Sequence, residues 1–202
     1  MRQTTYQTHS VQETEALGES LACVLAQAPA VALYGGLGMG KTAFVRGLAL
    51  KDVDVFAAVV GPGSFTGIRI GTAAVKGFAW AQSKPCAGIS SLSAMAWDCE
   101  QEGTLCCSIR ARANESYYAV FRREKGSVIR LTEDAVGSDE EMESIAREHG
   151  CTLFPRDCQR ASGAARAAWA LAQSGKLQTC HEIVPSYLRA TQVERMRKEQ
   201  MK

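Results

Sequence analysis

Histidine is scarce in this chain, and what little there is lies scattered: His9, His149 and His181 show no H-x-x-x-H or H-E-x-x-H spacing. Eight cysteines are present but no C-x-x-C pair occurs among them, so no zinc-site spacing is written here. No apolar run approaches the length of a membrane span. The N-terminus, MRQTTYQTHS, lacks the apolar core of a secretory signal, so the expected location is the cytoplasm and the expected state of the cysteines is reduced and mostly buried. Charge is nearly balanced, 23 Lys and Arg against 21 Asp and Glu, a net +2 that demands no polyanionic partner. What remains is an ordinary globular composition, 46% hydrophobic over 202 residues, enough to bury one core or two small ones.

The densest signal is Val55 to Gly71, VFAAVVGPGSFTGIRIG. Val55, Phe56, Val59 and Val60 make a short β-branched run of the length of a buried strand. Gly61-Pro62-Gly63 forces a turn, and Ser64 or Thr66 then caps a helix. Such a junction is either a ligand or partner edge of an α/β sheet or a tight connection with no chemistry.

Upstream, Ser10 and Glu13 have capping-box spacing, and Leu17, Leu21, Val24, Leu25 and Ala28 recur at helical spacing until Pro29. Ala30 to Tyr34, AVALY, reads as a buried strand. It leads into Gly35-Gly36-Leu37-Gly38-Met39-Gly40-Lys41-Thr42, which fits the phosphate-loop pattern G-x-x-x-x-G-K-[ST] between a strand and a helix over Thr42–Leu50. Backbone N–H groups around Gly35, Gly38 and Gly40 can wrap an anion, Lys41 can reach the outer phosphates, and the Thr42 hydroxyl can hold Mg²⁺. Hydrolysis needs a further carboxylate at the end of a neighbouring strand. Asp52 and Asp54 lie before the next strand, at its wrong end.

Downstream, Ile68 to Ala81 is apolar on more than one side. Ile70, Ala74, Phe78 and Ala81 form one stripe, and Gly71, Val75 and Ala79 a second, which either meets another subunit or is buried within the chain. Cys86–Ile89 reads as a strand and Ser90 or Ser91 opens a helix to Trp97. Thr104–Arg112, Tyr117–Arg123 and Val128–Leu131 read as an antiparallel meander. Arg110, Arg112, Arg122, Arg123, Lys125 and Arg130, with Tyr117 and Tyr118, are either an RNA-touching patch or the solvated face of that sheet. Ser138 and Glu141 form another capping box, Gly150 closes that helix, and Cys151–Phe154 reads as a strand. Ala161–Ala172 is an alanine-rich helix in which Trp169 is expected in the core.

Two family resemblances sit on these motifs. Residues Thr8 to Ala49, with S-V-Q-E-T-E-A-L-G and then L-Y-G-G-L-G-M-G-K-T-A-F-V-R-G-L-A, resemble TsaE, the small P-loop ATPase of bacterial tRNA threonylcarbamoyladenosine synthesis. Gly36 stands where that family commonly has an acidic residue, and the family's downstream strands and carboxylates are not present. From residue 55 onward, GPGSFTGIRIGTAAVKGFAWA, P-C-A-G-I-S-S-L-S-A-M-A and the closing Pro185-Ser186-Tyr187-Leu188-Arg189 with Gln192, Glu194 and Arg195 resemble TsaB, the partner subunit of the threonylcarbamoyl transferase. The opening strands of TsaB, with their D-T-S-like turn, have no counterpart.

The resemblances imply an α/β chain: an actin-like (ASKHA, TsaB-type) partial domain, residues 55–202, with a P-loop strand-helix unit added at the N-terminus, residues 1–54. The P-loop strand is expected to join a mixed sheet with Val55–Val60 as one compact body. They also imply an accessory role in forming N6-threonylcarbamoyladenosine in tRNA. The transfer chemistry belongs to a TsaD-type subunit that binds metal through histidines this chain lacks. This chain would pair with that subunit, or with itself as a homodimer, through Thr72, Val75, Lys76 and Ala79, touch tRNA indirectly or weakly, and bind ATP with Mg²⁺ and no structural metal. The enzyme alternative is a free-standing P-loop NTPase or small-molecule kinase. A peptidase reading fails for want of metal ligands or a nucleophile–base pair.

Overall fold

Four serines set helix starts in the computed structural model, which describes residues 4–158 and 161–188. Ser10, Ser64, Ser90 and Ser138 each stand at an N-cap and accept a hydrogen bond from the backbone N–H three residues on, satisfying a donor the helix cannot satisfy itself. At Ser138 the bond is reciprocal, with the Glu141 carboxylate accepting from the Ser138 N–H.

The order of elements is α1 (Val11–Leu25), α2 (Lys41–Gly47), a 3-10 turn (Leu50–Asp52), β1 (Phe56–Gly61), α3 (Phe65–Gln82), β2 (Cys86–Ser90), α4 (Ser91–Asp98), β3 (Gly103–Arg112), β4 (Glu115–Glu124), β5 (Ser127–Arg130), β6 (Ala135–Ser138), α5 (Asp139–Glu148) and α6 (Ala161–Gln173). β1 and β2 pair in parallel, Phe56 opposite Cys86, with α3 as their crossover. β3 and β4 form a long antiparallel hairpin, and the far edge of β4 is shared by β5 and the unforeseen β6.

Both faces of the hairpin are covered, which is why β3 and β4 each carry four or five consecutive buried residues instead of alternating. On one face Leu105, Cys107, Ile109, Ala119 and Phe121 pack under Leu92, Met95 and Ala96 of α4. On the other, Cys106, Tyr118 and Val120 pack under Met142 and Ala146 of α5. α4 also faces the parallel pair: Ala94 meets Ile89 of β2 and Ala167 of α6. The core of the parallel pair itself is Phe56, Ala58, Ala79, Cys86 and Ile183.

The expected strand over residues 30–34 takes part in no ladder, and the parallel and antiparallel strands form two sheets rather than one mixed sheet. Val31, Leu33 and Tyr34 remain exposed, so this apolar run lacks the second layer that would stabilise it as a strand. The helix expected over 42–50 breaks at Leu48, whose extended backbone ends α2. Trp169, expected in the core, is 45% exposed, because α6 buries Gly163 and Ala167 instead. Of the eight cysteines, Cys86, Cys106 and Cys107 are buried, while Cys23 and Cys158 are exposed. Arg189, Gln192, Glu194 and Arg195 lie outside the described residues. No helix among the described residues is long and apolar enough to cross a membrane.

α6 reaches α4 only because residue 163 has no side chain: a methyl there would overlap the Ala94 carbonyl oxygen and press on the Asp98 side chain, 2.8 Å away. Gly163→Val is therefore expected to cost about 1–3 kcal/mol by overpacking, measured by chemical denaturation against wild type.

Candidate functional site

Two places carry the residues singled out by the sequence, the glycine loop before α2 and the strand-turn-helix corner from β1 into α3. In the loop, Gly35, Gly38 and Gly40 all have positive φ, 148°, 77° and 76°, conformations that L side chains adopt at a cost. Lys41 opens α2 and turns back on the loop, its Nζ donating to the Gly35 and Gly36 carbonyls at 2.7 Å each. Thr42 follows on the exposed side of the helix.

The loop is braced by α1. A side-chain carbon on Gly18 would overlap the Phe44 carbonyl oxygen, and one on Gly47 the Glu15 carbonyl oxygen, so the two helices touch backbone to backbone. Arg46 and Glu15 close the seam at 2.7 Å, and Thr14 lies beside Gly40. These residues fit a phosphate group: three positive-φ glycines, a helix start and a lysine whose Nζ bonds main-chain carbonyls of the loop. Asp52 ends the 3-10 turn and Asp54 follows it, both ahead of β1, so the structure brings neither to the far end of that strand. Leu37 and Met39 are exposed on the loop.

At the corner, the Gly61–Pro62 peptide is cis and Ser64 caps α3. The C-terminal segment returns here: the Ser186 N–H donates to the Val60 carbonyl at 2.8 Å, and Arg69 Nε donates to the Tyr187 hydroxyl at 2.8 Å. The Arg69 guanidinium stacks 3.8 Å over the Phe65 ring, which lies 4.8 Å from the Tyr187 ring. The GPGSF and P-S-Y-L motifs are thus one contact, and its arginine was not singled out in the sequence.

α3 presents two unlike faces, and burial decides between the two readings open for its second stripe. Thr72 and Ala79, read as partner-facing, are each 1% exposed, and Val75 packs with them against the β1–β2 core. Lys76 is half-buried at the margin. Phe78, assigned to the other stripe, turns inward to stack on Phe56 at 6.0 Å. The outward face is Ile70, Ala73, Gly77 and Trp80, with Ile70 51% and Trp80 71% exposed. Gly77 was the available signal. A glycine costs a helix interior about 1 kcal/mol relative to alanine, and among the described residues nothing beyond the helix's own nearby backbone and the adjacent residues lies within 4 Å of where its side chain would be.

The basic residues of the meander are dispersed. Arg112 pairs with Glu115, Arg130 with Asp134, and Arg123 donates to the Trp97 carbonyl. Arg110, Arg122 and Lys125 are exposed, but Tyr118 is buried and Tyr117 packs on the core, so neither ring offers a stacking platform.

The family model described as "TsaD: tRNA N6-adenosine threonylcarbamoyltransferase" matches residues 41–193, and that described as "Threonylcarbamoyl adenosine biosynthesis protein TsaE" matches residues 8–69. Among curated proteins, the chain is 42% identical over 82 residues to the tRNA threonylcarbamoyladenosine biosynthesis protein TsaB of Haemophilus influenzae, covering 39% of this chain and 35% of that protein. It is 35% identical over 85 residues to TsaB of Escherichia coli, covering 41% and 37%. The aligned stretch thus spans little more than a third of the curated relatives. Among solved structures, an uncharacterized protein with similarity to peptidase YeaZ from Pseudomonas aeruginosa superposes with a TM-score of 0.61 at 25% identity, covering 71% of this chain and 77% of that one. A second structure, YeaZ from Pseudomonas aeruginosa, gives the same TM-score at 22% identity, covering 71% and 78%, and speaks for the fold. Both sheets and the actin-like α/β arrangement accord with these neighbours.

Thr72 also yields a test of the face assignment. Its buried Oγ1 has no hydrogen-bond partner among the described residues. Thr72→Val removes that unpaired hydroxyl at constant shape, so stability should stay level or rise by up to about 1 kcal/mol, read from thermal and denaturant melts. A loss would place Thr72 in an interaction this packing does not contain.

Proposed function

The chain belongs to the TsaD family over residues 41–193, and from that premise we propose that it is an accessory subunit of the machinery that makes N6-threonylcarbamoyladenosine in tRNA. It pairs with a TsaD-type transferase and does not itself carry the transfer chemistry. The observation that carries this reading is the outward face of α3. The helix lies within residues 41–193, which match the family model, and its inner face packs on the β1–β2 core while Ile70, Ala73, Gly77 and Trp80 stand open. A flat stripe of small residues flanked by two large apolar ones suits close packing against another helix, where burying Ile70 and Trp80 supplies the affinity.

The phosphate loop adds a nucleotide to this reading. Gly35, Gly38 and Gly40 would hold the phosphates of ATP through backbone N–H groups, Lys41 through its charge, and Thr42 through Mg²⁺. An entering phosphate gives Lys41 Nζ a charged partner in place of the two carbonyls that now accept from it. With Asp52 and Asp54 ahead of β1, binding is favoured over rapid turnover.

Co-purification with a TsaD-type protein, with and without ATP, tests both parts. Trp80→Glu and Ile70→Asp should abolish pairing while leaving the melting temperature near wild type, and Thr72→Val should leave pairing intact. Lys41→Ala should preserve pairing and lower the affinity for a fluorescent ATP analogue at least tenfold. Pairing undisturbed by both α3 substitutions would overturn the docking face. ATP turnover without a partner, lost in Lys41→Ala, would favour a free-standing NTPase instead.

A further inference from the structure

In the antiparallel layer, away from the phosphate loop and α3, a cavity of about 330 Å³ is lined by Cys106, Ser108, Met142, Glu143, Phe154 and Arg156. That is within the size range of small-molecule sites. Its floor is β3, where Cys106 and Ser108 are buried on the face that α5 covers. Its far wall is the segment after α5, which runs beside β3 with parallel bridges from Leu105 to Leu153 and from Ser108 to Arg156. Because successive side chains of an extended segment alternate, Leu153 packs into the core under α4 while Phe154 and Arg156 turn to the cavity. Phe154 is 59% exposed, a large ring left uncovered beside an apolar floor.

The charges around the cavity are unequal. Arg156 is already matched, its guanidinium 3.6 Å from the Asp139 carboxylate, 4.0 Å from that of Asp157, and 3.5 Å from the Ser116 hydroxyl. Glu143 stands exposed in the lining, and Arg147, one turn further along α5, donates to the Glu143 backbone carbonyl at 3.3 Å. Burial, followed by the neighbouring Cys151, pushes the Cys106 thiol up to about 12, so the floor is neutral near pH 7. Of the two charged residues lining the cavity, Arg156 is thus matched by Asp139 and Asp157, which leaves Glu143 as the carboxylate of the lining.

We propose that this cavity binds a small organic cation, an alkylammonium whose apolar body rests on Cys106, Met142 and Phe154 and whose charge meets Glu143. The ring of Phe154 adds a cation–π contact, and the Glu143 carboxylate disfavours an anion of the same shape.

Titration of the full chain with n-pentylamine, 1-pentanol and pentanoate, followed by calorimetry or ligand-observed NMR at pH 7, separates charge from shape. The amine should bind saturably and at least tenfold more tightly than the alcohol, with pentanoate weakest. Glu143→Gln, at an exposed position where the fold should be unaffected, should remove most of the amine's advantage and leave the alcohol unchanged. Phe154→Ala should weaken both amine and alcohol. Equal binding of the three probes, preference for pentanoate, no saturable amine binding at millimolar concentration, or an amine affinity untouched by Glu143→Gln would each overturn the proposal.

Discussion

The structure depends on α4 being wedged between its two sheets. Leu92, Met95 and Ala96 are at most 1% exposed against the antiparallel hairpin, and Ala94, on another side of the same short helix, meets β2 and α6. Eight residues therefore serve two cores, which a helix can do only when small and large apolar residues are distributed around it. The end of the helix is tied as firmly as its sides. The Trp97 carbonyl accepts from both Arg123 of β4 and Arg166 of α6, placing two positive groups at the negative pole of the helix. Gly163 then permits α6 to close over α4 with no side chain between them.

A second constraint is the return of the chain from α6. Gln178 bridges to Cys86 on β2, Ile183 is fully buried in the core of the parallel pair, Ser186 bonds to the end of β1, and Tyr187 closes on Arg69 of α3. One segment thus ties together β2, β1 and α3. It fixes the start of α3 from below and leaves the helix's outer face open. The corner from which α3 springs is consequently held by three elements, and such anchoring would lower the entropy lost on association at the docking face proposed above.

The N-terminal segment is built on a different principle. α1 and α2 bury little between them beyond Gly18 and Ala43, and hold together through direct backbone approach and the Glu15–Arg46 pair. This suffices to set the three positive-φ glycines around Lys41. It does not supply a sheet under the loop, so Val31, Leu33 and Tyr34 stay in water where a phosphate loop is ordinarily anchored to a strand.

The sequence by itself determined what is local. Serine caps, the capping box at Ser138 and Glu141, the glycine loop with its lysine, the turn at Gly61-Pro62-Gly63 and the β3–β4 hairpin follow from short-range sterics and hydrogen bonding, and all are where the residues say. Helical spacing also revealed that α3 is apolar on two sides. Spacing alone does not say which side is in, because both stripes satisfy the 3.6-residue period and burial depends on what lies opposite. Only the tertiary structure placed the small Thr72, Val75 and Ala79 against β1 and left the larger Ile70 and Trp80 outside. It also decided that AVALY finds no partner strand, that the covered hairpin makes a second sheet, and that Arg69 and Tyr187, 118 residues apart, form one contact. Each of these depends on pairing between distant residues, which a local pattern permits without choosing.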